Sequence, residues 1–273
     1  MGEAAQWIGE HAVEVFMVAL AALLAFWFGL WRCVERYEEP LWRALGFVAR
    51  RIAPYRYLSL HLLAGLAVCF AAVFAFGSLA EEILERESWY AFDRALAVAL
   101  NRHATPLGAD ALGAITRLGD ARVITALGLA VALGLALRDK RVLLAGWAAA
   151  FIGGALLNLA LKAVFQRARP EFDAPLATAL GWSFPSGHAM GAMVAYGMLA
   201  YLLVLRFGRA PAPFIVAGAS ILVLGVGFSR VYLGVHYFSD VVGGYLSGIA
   251  WLAVCASAIE IARRHARTGA RDI

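Results

Sequence analysis

Long apolar runs separated by short polar turns set the pattern of this chain. They fall at Ala12–Trp31, Tyr57–Leu79, Val123–Leu137, Val142–Phe165, Ala189–Leu205, Phe214–Phe228 and Val241–Ile261. A helix of about 20 apolar residues crosses the roughly 30 Å hydrocarbon layer of a bilayer, so the pattern predicts a polytopic, all-α membrane helical bundle of seven spans. Glu3, Glu10 and Glu14 flank the start of the first run, and the first basic residue is Arg32. A cleaved signal peptide carries positive charge in front of its apolar stretch. The first run is therefore expected to be retained, with its N-terminus outside. Basic turns follow at Arg32–Arg56, Arg138–Arg141 and Arg206–Arg209, and a basic tail holds Arg263, Arg264, Arg267 and Arg271. Threading the runs alternately through a bilayer puts all of these on one side, the cytoplasmic one by the positive-inside bias. The segment Ala80–Ala121 is acidic at its start (Glu81, Glu82, Glu85, Glu87) and reads as an outer loop. Within it Trp89, Phe92, Leu96 and Leu100 recur at helical spacing, with Asp93, Arg94, Asn101 and Arg102 elsewhere around the wheel. That spacing suits either a helix lying in the outer interface or an ordinary packed loop helix.

Composition agrees with the pattern. The chain is 62% hydrophobic and 16% charged over 273 residues, with a mean hydropathy of +0.73. A soluble domain would be roughly 45–50% apolar and about 25% charged. The net charge of +5 lies in the turns rather than on one face, which argues for membrane topology and against nucleic acid as a partner. Cys33, Cys69 and Cys255 are far apart in or beside apolar runs, as small packing residues are.

Three polar clusters interrupt this picture, each at the outer end of its run. Pro185-Ser186-Gly187-His188 opens the run that starts at Ala189. The first N–H groups of a helix lack internal partners and favour an anion. Lys162 and Arg169 stand seven apart, close to two turns if the helix continues to Pro170, with Arg167 pointing elsewhere. Ser229-Arg230 ends one run, and His236 and Asp240 stand four apart as the last begins. One turn sets a carboxylate beside an imidazole, fixing its tautomer and freeing the other nitrogen as nucleophile or base. Snorkelling explains a single basic residue near a helix end. It does not explain three cations, two histidines and a carboxylate at one level. The cations and helix-start N–H groups suit a phosphate. The level holds neither a carboxylate cluster for magnesium nor a Cys/His set for zinc.

The order Lys162-x6-Arg169-Pro170, Pro185-Ser186-Gly187-His188 and Ser229-Arg230-x5-His236-x3-Asp240 resembles the three-part signature of the type 2 phosphatidic acid phosphatase superfamily. The resemblance covers roughly Tyr57–Ile261, a six-span core, and leaves the first run as an extra N-terminal span. It divides the chain into residues 1–56 (extra span and basic loop), 57–262 (phosphatase core) and 263–273 (cytoplasmic tail). It implies that His236 is a nucleophile forming a phosphohistidine and oriented by Asp240. His188 would be the general acid and then the base for water. Lys162, Arg169, Ser186, Gly187 and Arg230 would hold the phosphoryl oxygens, with no metal or other cofactor. The implied activity is hydrolysis of a lipid phosphate; the map of basic turns places it at the outer face of the membrane, and the short loops without a glycosylation acceptor sequence suit a bacterial inner membrane. The substrate would be undecaprenyl diphosphate, phosphatidylglycerophosphate, phosphatidic acid or a lipid A phosphate. A lipid phosphotransferase shares the first half-reaction and the motifs. An anion transporter is the reading from another class, but it has no need for a His–Asp pair aimed at one anion, and the hydropathy shows no inverted repeat.

Overall fold

The computed structural model describes residues 2–44, 56–85, 88–173 and 175–269. The basic stretch 45–55, Glu87 and the tail that includes Arg271 lie outside them. The described residues form ten α-helices and one 3-10 turn. In chain order these are α1 (Gly2–Glu10), α2 (Ala12–Ala44), α3 (Arg56–Leu84), α4 (Ser88–His103) and α5 (Pro106–Thr116). The 3-10 turn Arg117–Gly119 then leads to α6 (Ala121–Ala136), α7 (Arg141–Phe165), α8 (Gly187–Phe207), α9 (Ala212–Tyr232) and α10 (Phe238–Gly269). Among the described residues six helices are long and apolar enough to cross a membrane, in α2, α3, α7, α8, α9 and α10. The chain is an integral membrane protein.

The seventh expected span corresponds to a bent helix pair. Sixteen residues of α6 reach only about 24 Å at 1.5 Å per residue. Helix α6 is long and apolar enough to cross only when taken together with α5 and the 3-10 turn, which meet it at a 41° bend. Part of the segment read as outer loop, Pro106–Gly119, thus belongs to this bent pair. Local chemistry starts α5 where it does: Pro106 occupies its first turn, and Thr105 Oγ1 accepts from Gly108 N at 3.1 Å.

Helices α8 and α10 form the centre, with α7 and α9 flanking α8, and α3 packed along α10. Trp147, Ala150, Val194, Met198, Cys255 and Ile259 fill one layer of this centre. The glycines at 244 and 248 permit the α8–α10 contact. A Cβ on Gly244 would sit 2.7 Å from Ser186 O, and one on Gly248 would sit 2.8 Å from Met193 Cγ. That is the close approach expected of small residues four apart on membrane helices. It also carries the start of α10 against the start of α8, where two of the three polar clusters lie.

Helix α2 docks on α9. Phe16 stacks on Phe228 with centroids 4.2 Å apart, and Trp27 Nε1 donates to Pro213 O at 3.1 Å. Helix α4 is a packed helix: Leu96 and Leu100 are buried, and α1 lies against it. Asp93, set apart from the apolar positions in the sequence reading, is buried as well.

Candidate active site

The C-terminal ends of α7 and α9 and the N-terminal ends of α8 and α10 lie at one end of the bundle, because these four helices alternate in direction. Lys162, Ser186, Gly187, His188, Arg230, His236 and Asp240 therefore share that end. Arg138–Arg141, Arg206, Arg263 and Arg264 lie at the other.

Helix α7 stops at Phe165, earlier than Pro170 would require, because Gln166 adopts the left-handed conformation at φ 45° and ψ 36°. Lys162 is thus on the helix and Arg169 on the connection, and their shared level does not come from a continued helical turn. The same early stop turns Arg167 inward, contrary to the sequence expectation. Its Nη1 donates to Asp240 Oδ1 at 2.7 Å and its Nη2 to Asp93 Oδ2 at 2.8 Å. All three side chains are buried. The guanidinium also lies 4.4 Å from the centroid of the Tyr237 ring. Burial works against the Arg167 charge, yet Asp240 and Asp93 together hold its pKa above the ordinary arginine value.

Ser186 is the N-cap of α8, accepting from Ala189 N at 3.5 Å, and its own N–H donates to Asp240 O at 2.8 Å. The N–H groups of Gly187 and His188 fall in the first turn, where no intrahelical acceptor exists. A Cβ on Gly187 would sit 3.1 Å from Asn158 Oδ1, so the glycine keeps the helix start close to α7.

His236 is held at both ring nitrogens. Its Nδ1 lies 3.3 Å from Asp240 Oδ2 and 3.2 Å from Ser183 Oγ, and its Nε2 lies 3.0 Å from Arg169 Nη1. A guanidinium only donates, so Nε2 must accept and the ring proton is on Nδ1, facing Asp240 and Ser183. The lone pair of Nε2 is therefore presented to a cation. Asp240 Oδ2 also accepts from Tyr237 N at 2.8 Å and from the Ser183 hydroxyl. Burial holds the His236 imidazole down at about 4, with Arg169 and Arg230 acting the same way against the opposing pull of Asp240.

That shift fixes a pH response. The folded ring stays neutral until the pH approaches about 4, whereas an unfolded histidine takes its proton near 6.5. Above both values neither state is protonated and nothing changes. As pH falls between them only the unfolded chain gains the proton, and stability declines. Unfolding midpoints in detergent are therefore expected to fall as the pH is lowered from about 6.5 towards about 4, and midpoints that stay constant across that interval would contradict the environment described.

Three cations gather at this end, and two of them, Arg169 and Arg230, act on the ring. Arg169 also donates to Gly181 O at 2.9 Å, Leu180 O at 3.1 Å and Val235 O at 2.6 Å. Lys162 Nζ donates to Trp182 O, and to Ser183 O at 3.4 Å. Arg230 is buried, its Nη1 donating to Thr116 Oγ1 at 2.8 Å. Its Nε is buried without a hydrogen-bond partner, a donor that an oxyanion would satisfy. His188 enters from another side, its Nε2 2.8 Å from Asp120 Oδ1. Among the described residues, no group of three or more His, Cys, Asp or Glu side chains could hold a metal ion.

Sequence reasoning missed Asp93, Thr116, Asp120, Arg167, Ser183 and Ser239. One signal was available. Asp93 follows Trp89 by four and precedes Leu96 by three, which places a carboxylate on the apolar stripe of α4. The structure meets that carboxylate with Arg167, with Ser239 N at 3.0 Å and with the Ser239 hydroxyl.

The fold is that of a known class: the chain belongs to the PAP2 superfamily, whose model matches residues 142–264. Phosphatidylglycerophosphatase B of Bacillus subtilis is 45% identical over 96 residues, 34% of this chain and 47% of that protein. The aligned part thus spans about half the length of that relative. The crystal structure of the transmembrane PAP2 type phosphatidylglycerolphosphate phosphatase from Bacillus subtilis is similar at a TM-score of 0.63 and 31% identity. That likeness covers 69% of this chain and 94% of the solved one. The crystal structure of Aquifex aeolicus LpxE has a TM-score of 0.46 at 25% identity, over 59% of this chain and 92% of that one.

Proposed function

We propose that this protein is a metal-independent membrane phosphatase that hydrolyses a lipid phosphate through a phosphohistidine on His236. The observation that carries the reading is the donation from Arg169 to His236 Nε2 at 3.0 Å. The nucleophilic lone pair and a phosphate-binding cation then meet at one point, and an arriving phosphoryl oxygen would take the guanidinium while Nε2 takes the phosphorus. Lys162, Arg169, Arg230 and the helix-start N–H groups of Gly187 and His188 would hold the three non-bridging oxygens, with Ser186 fixing that helix start. Asp240 would hold the Nδ1 proton and stabilise the positive charge that develops on the ring. His188 would protonate the leaving oxygen and then deprotonate the attacking water. Positioning and charge carry phosphoryl transfer, and side-chain cations supply here what a metal supplies elsewhere.

The two Bacillus subtilis relatives are named as phosphatases of phosphatidylglycerophosphate, so this lipid heads the substrate candidates. Phosphatidic acid, undecaprenyl diphosphate and lipid A phosphates follow. The site lies at the bundle end opposite the basic turns, which supports action on the outer leaflet of a bacterial inner membrane. The division into an added N-terminal span, which docks on α9, and a six-span core belongs to the same proposal. Purified protein in EDTA is expected to release phosphate from at least one of these lipids at the rate seen without chelator. Activity that appears only with added magnesium would overturn the mechanism.

A further inference from the structure

The site has a fourth wall that none of the three motifs contains. It is the break between α5 and α6, residues 116–120, which precedes the segment matched by the family model. Four contacts fasten this break to the site. Thr116 Oγ1 accepts from Arg230 Nη1, and Leu118 O accepts from Tyr196 Oη at 2.8 Å. At Gly119 a Cβ would meet Val226 Cγ1 at 2.5 Å and His188 Cδ2 at 3.1 Å, so only the bare backbone fits against the imidazole. Asp120 then reaches His188 Nε2 at 2.8 Å. Asp120 is also the N-cap of α6, yet its carboxylate makes no capping hydrogen bond. A residue type favoured at this position for capping is instead turned to a histidine on a different helix.

From this geometry we infer that Asp120 is a positioning residue for the reaction, holding the His188 ring with its Nε2 proton engaged and its Nδ1 directed to proton exchange. The inference rests on the proposed role of His188. In the first step the His236 Nε2–phosphorus bond forms, the bond from phosphorus to the lipid oxygen breaks, and His188 gives its Nδ1 proton to that oxygen. In the second, water attacks phosphorus, the nitrogen–phosphorus bond breaks, and His188 Nδ1 recovers a proton from the water. Asp120 keeps its hydrogen bond throughout and offsets the imidazolium charge present before the first transfer and after the second. The other charges acting on this ring are Arg230 from α9 and Arg169 from the α7–α8 connection, both cationic. Asp120 is the carboxylate that opposes them.

The test compares leaving groups. A p-nitrophenolate departs without a proton, whereas the alkoxide of a diacylglycerol needs one. The value of kcat/KM reports only steps up to departure. Asp120→Asn in the full-length protein is expected to lose on the order of 10- to 100-fold more kcat/KM on short-chain phosphatidic acid than on p-nitrophenyl phosphate. That is part of the roughly 10²–10⁴ that a placed general acid contributes. Asp120→Glu should recover some of the loss. An equal loss on both substrates, or no loss on either, would overturn the inference, and turnover of the aryl ester reports that the variant is folded. His188→Ala separates the two levels of the argument. If it lacks the leaving-group preference, the role of His188 fails; if it shows the preference and Asp120→Asn does not, only the role of Asp120 fails.

Discussion

Replacing His236 by glutamine is expected to take phosphate release to background, a fall in kcat of at least about 10⁴-fold, or about 5 kcal/mol of transition-state stabilisation. Glutamine is close to the imidazole in size and can still donate towards Asp240 and Ser183, so the pocket should survive. It has no nitrogen lone pair with which to attack phosphorus. Asp240→Asn tests the same unit one bond further out. It retains the shape while removing the charge that balances the ring, and asparagine can present its amide to Nδ1 in the wrong sense, reversing the tautomer. A large but smaller loss is expected, since the histidine–carboxylate unit acts together and single losses do not add. Release rates for both variants on phosphatidylglycerophosphate check the order. A His236→Gln protein with more than a hundredth of wild-type kcat would remove the nucleophile from the scheme.

The second large effect lies outside the signature. Arg167 bridges Asp93 of α4 and Asp240 of α10, with the Ser239 hydroxyl completing the network. Arg167→Leu would leave two buried carboxylates facing each other with no cation between them. Removing one partner of a buried pair costs about 3–5 kcal/mol, so a much lower unfolding midpoint in detergent is expected. Activity should fall with it, because Asp240 loses the contact that holds Oδ1 while Oδ2 serves His236. Asp93→Asn should be milder, since the amide oxygen can still accept from Arg167. Combining the two changes should recover part of the stability lost by Arg167→Leu alone. An Arg167→Leu protein with wild-type melting and wild-type kcat would show that the bridge contributes nothing to either.

These two predictions also mark what could be read from the chain. The spans were legible because membrane helices are apolar on every face and their lengths are set by the bilayer. The shared placement of Ser186, His188, His236 and Asp240 was legible because they stand at short spacings at helix starts. The bend was not: Pro106–Thr116 is short and interrupted by Gly108, Asp110 and Gly113, so hydropathy alone assigned it to a loop. The direction of Arg167 was not legible either, since it turns on the left-handed Gln166 ending α7 before the proline does. Asp93 and Asp120 stand 74 and 68 residues from their partners Arg167 and His188. No local periodicity encodes such pairs; the α4 contacts and the α5–α6 break bring them into place.

The central claim is a covalent bond between His236 and phosphorus, and the most direct measurement is to trap it. His188→Ala should still pass phosphate from p-nitrophenyl phosphate to His236, because that leaving group needs no acid, but should hydrolyse the adduct slowly. Rapid quenching at alkaline pH followed by peptide mass analysis is predicted to find one phosphate on His236, acid-labile and absent from the His188→Ala, His236→Gln double variant. Phosphate located on another residue, or full turnover in a single burst with no protein-bound phosphate, would contradict the account.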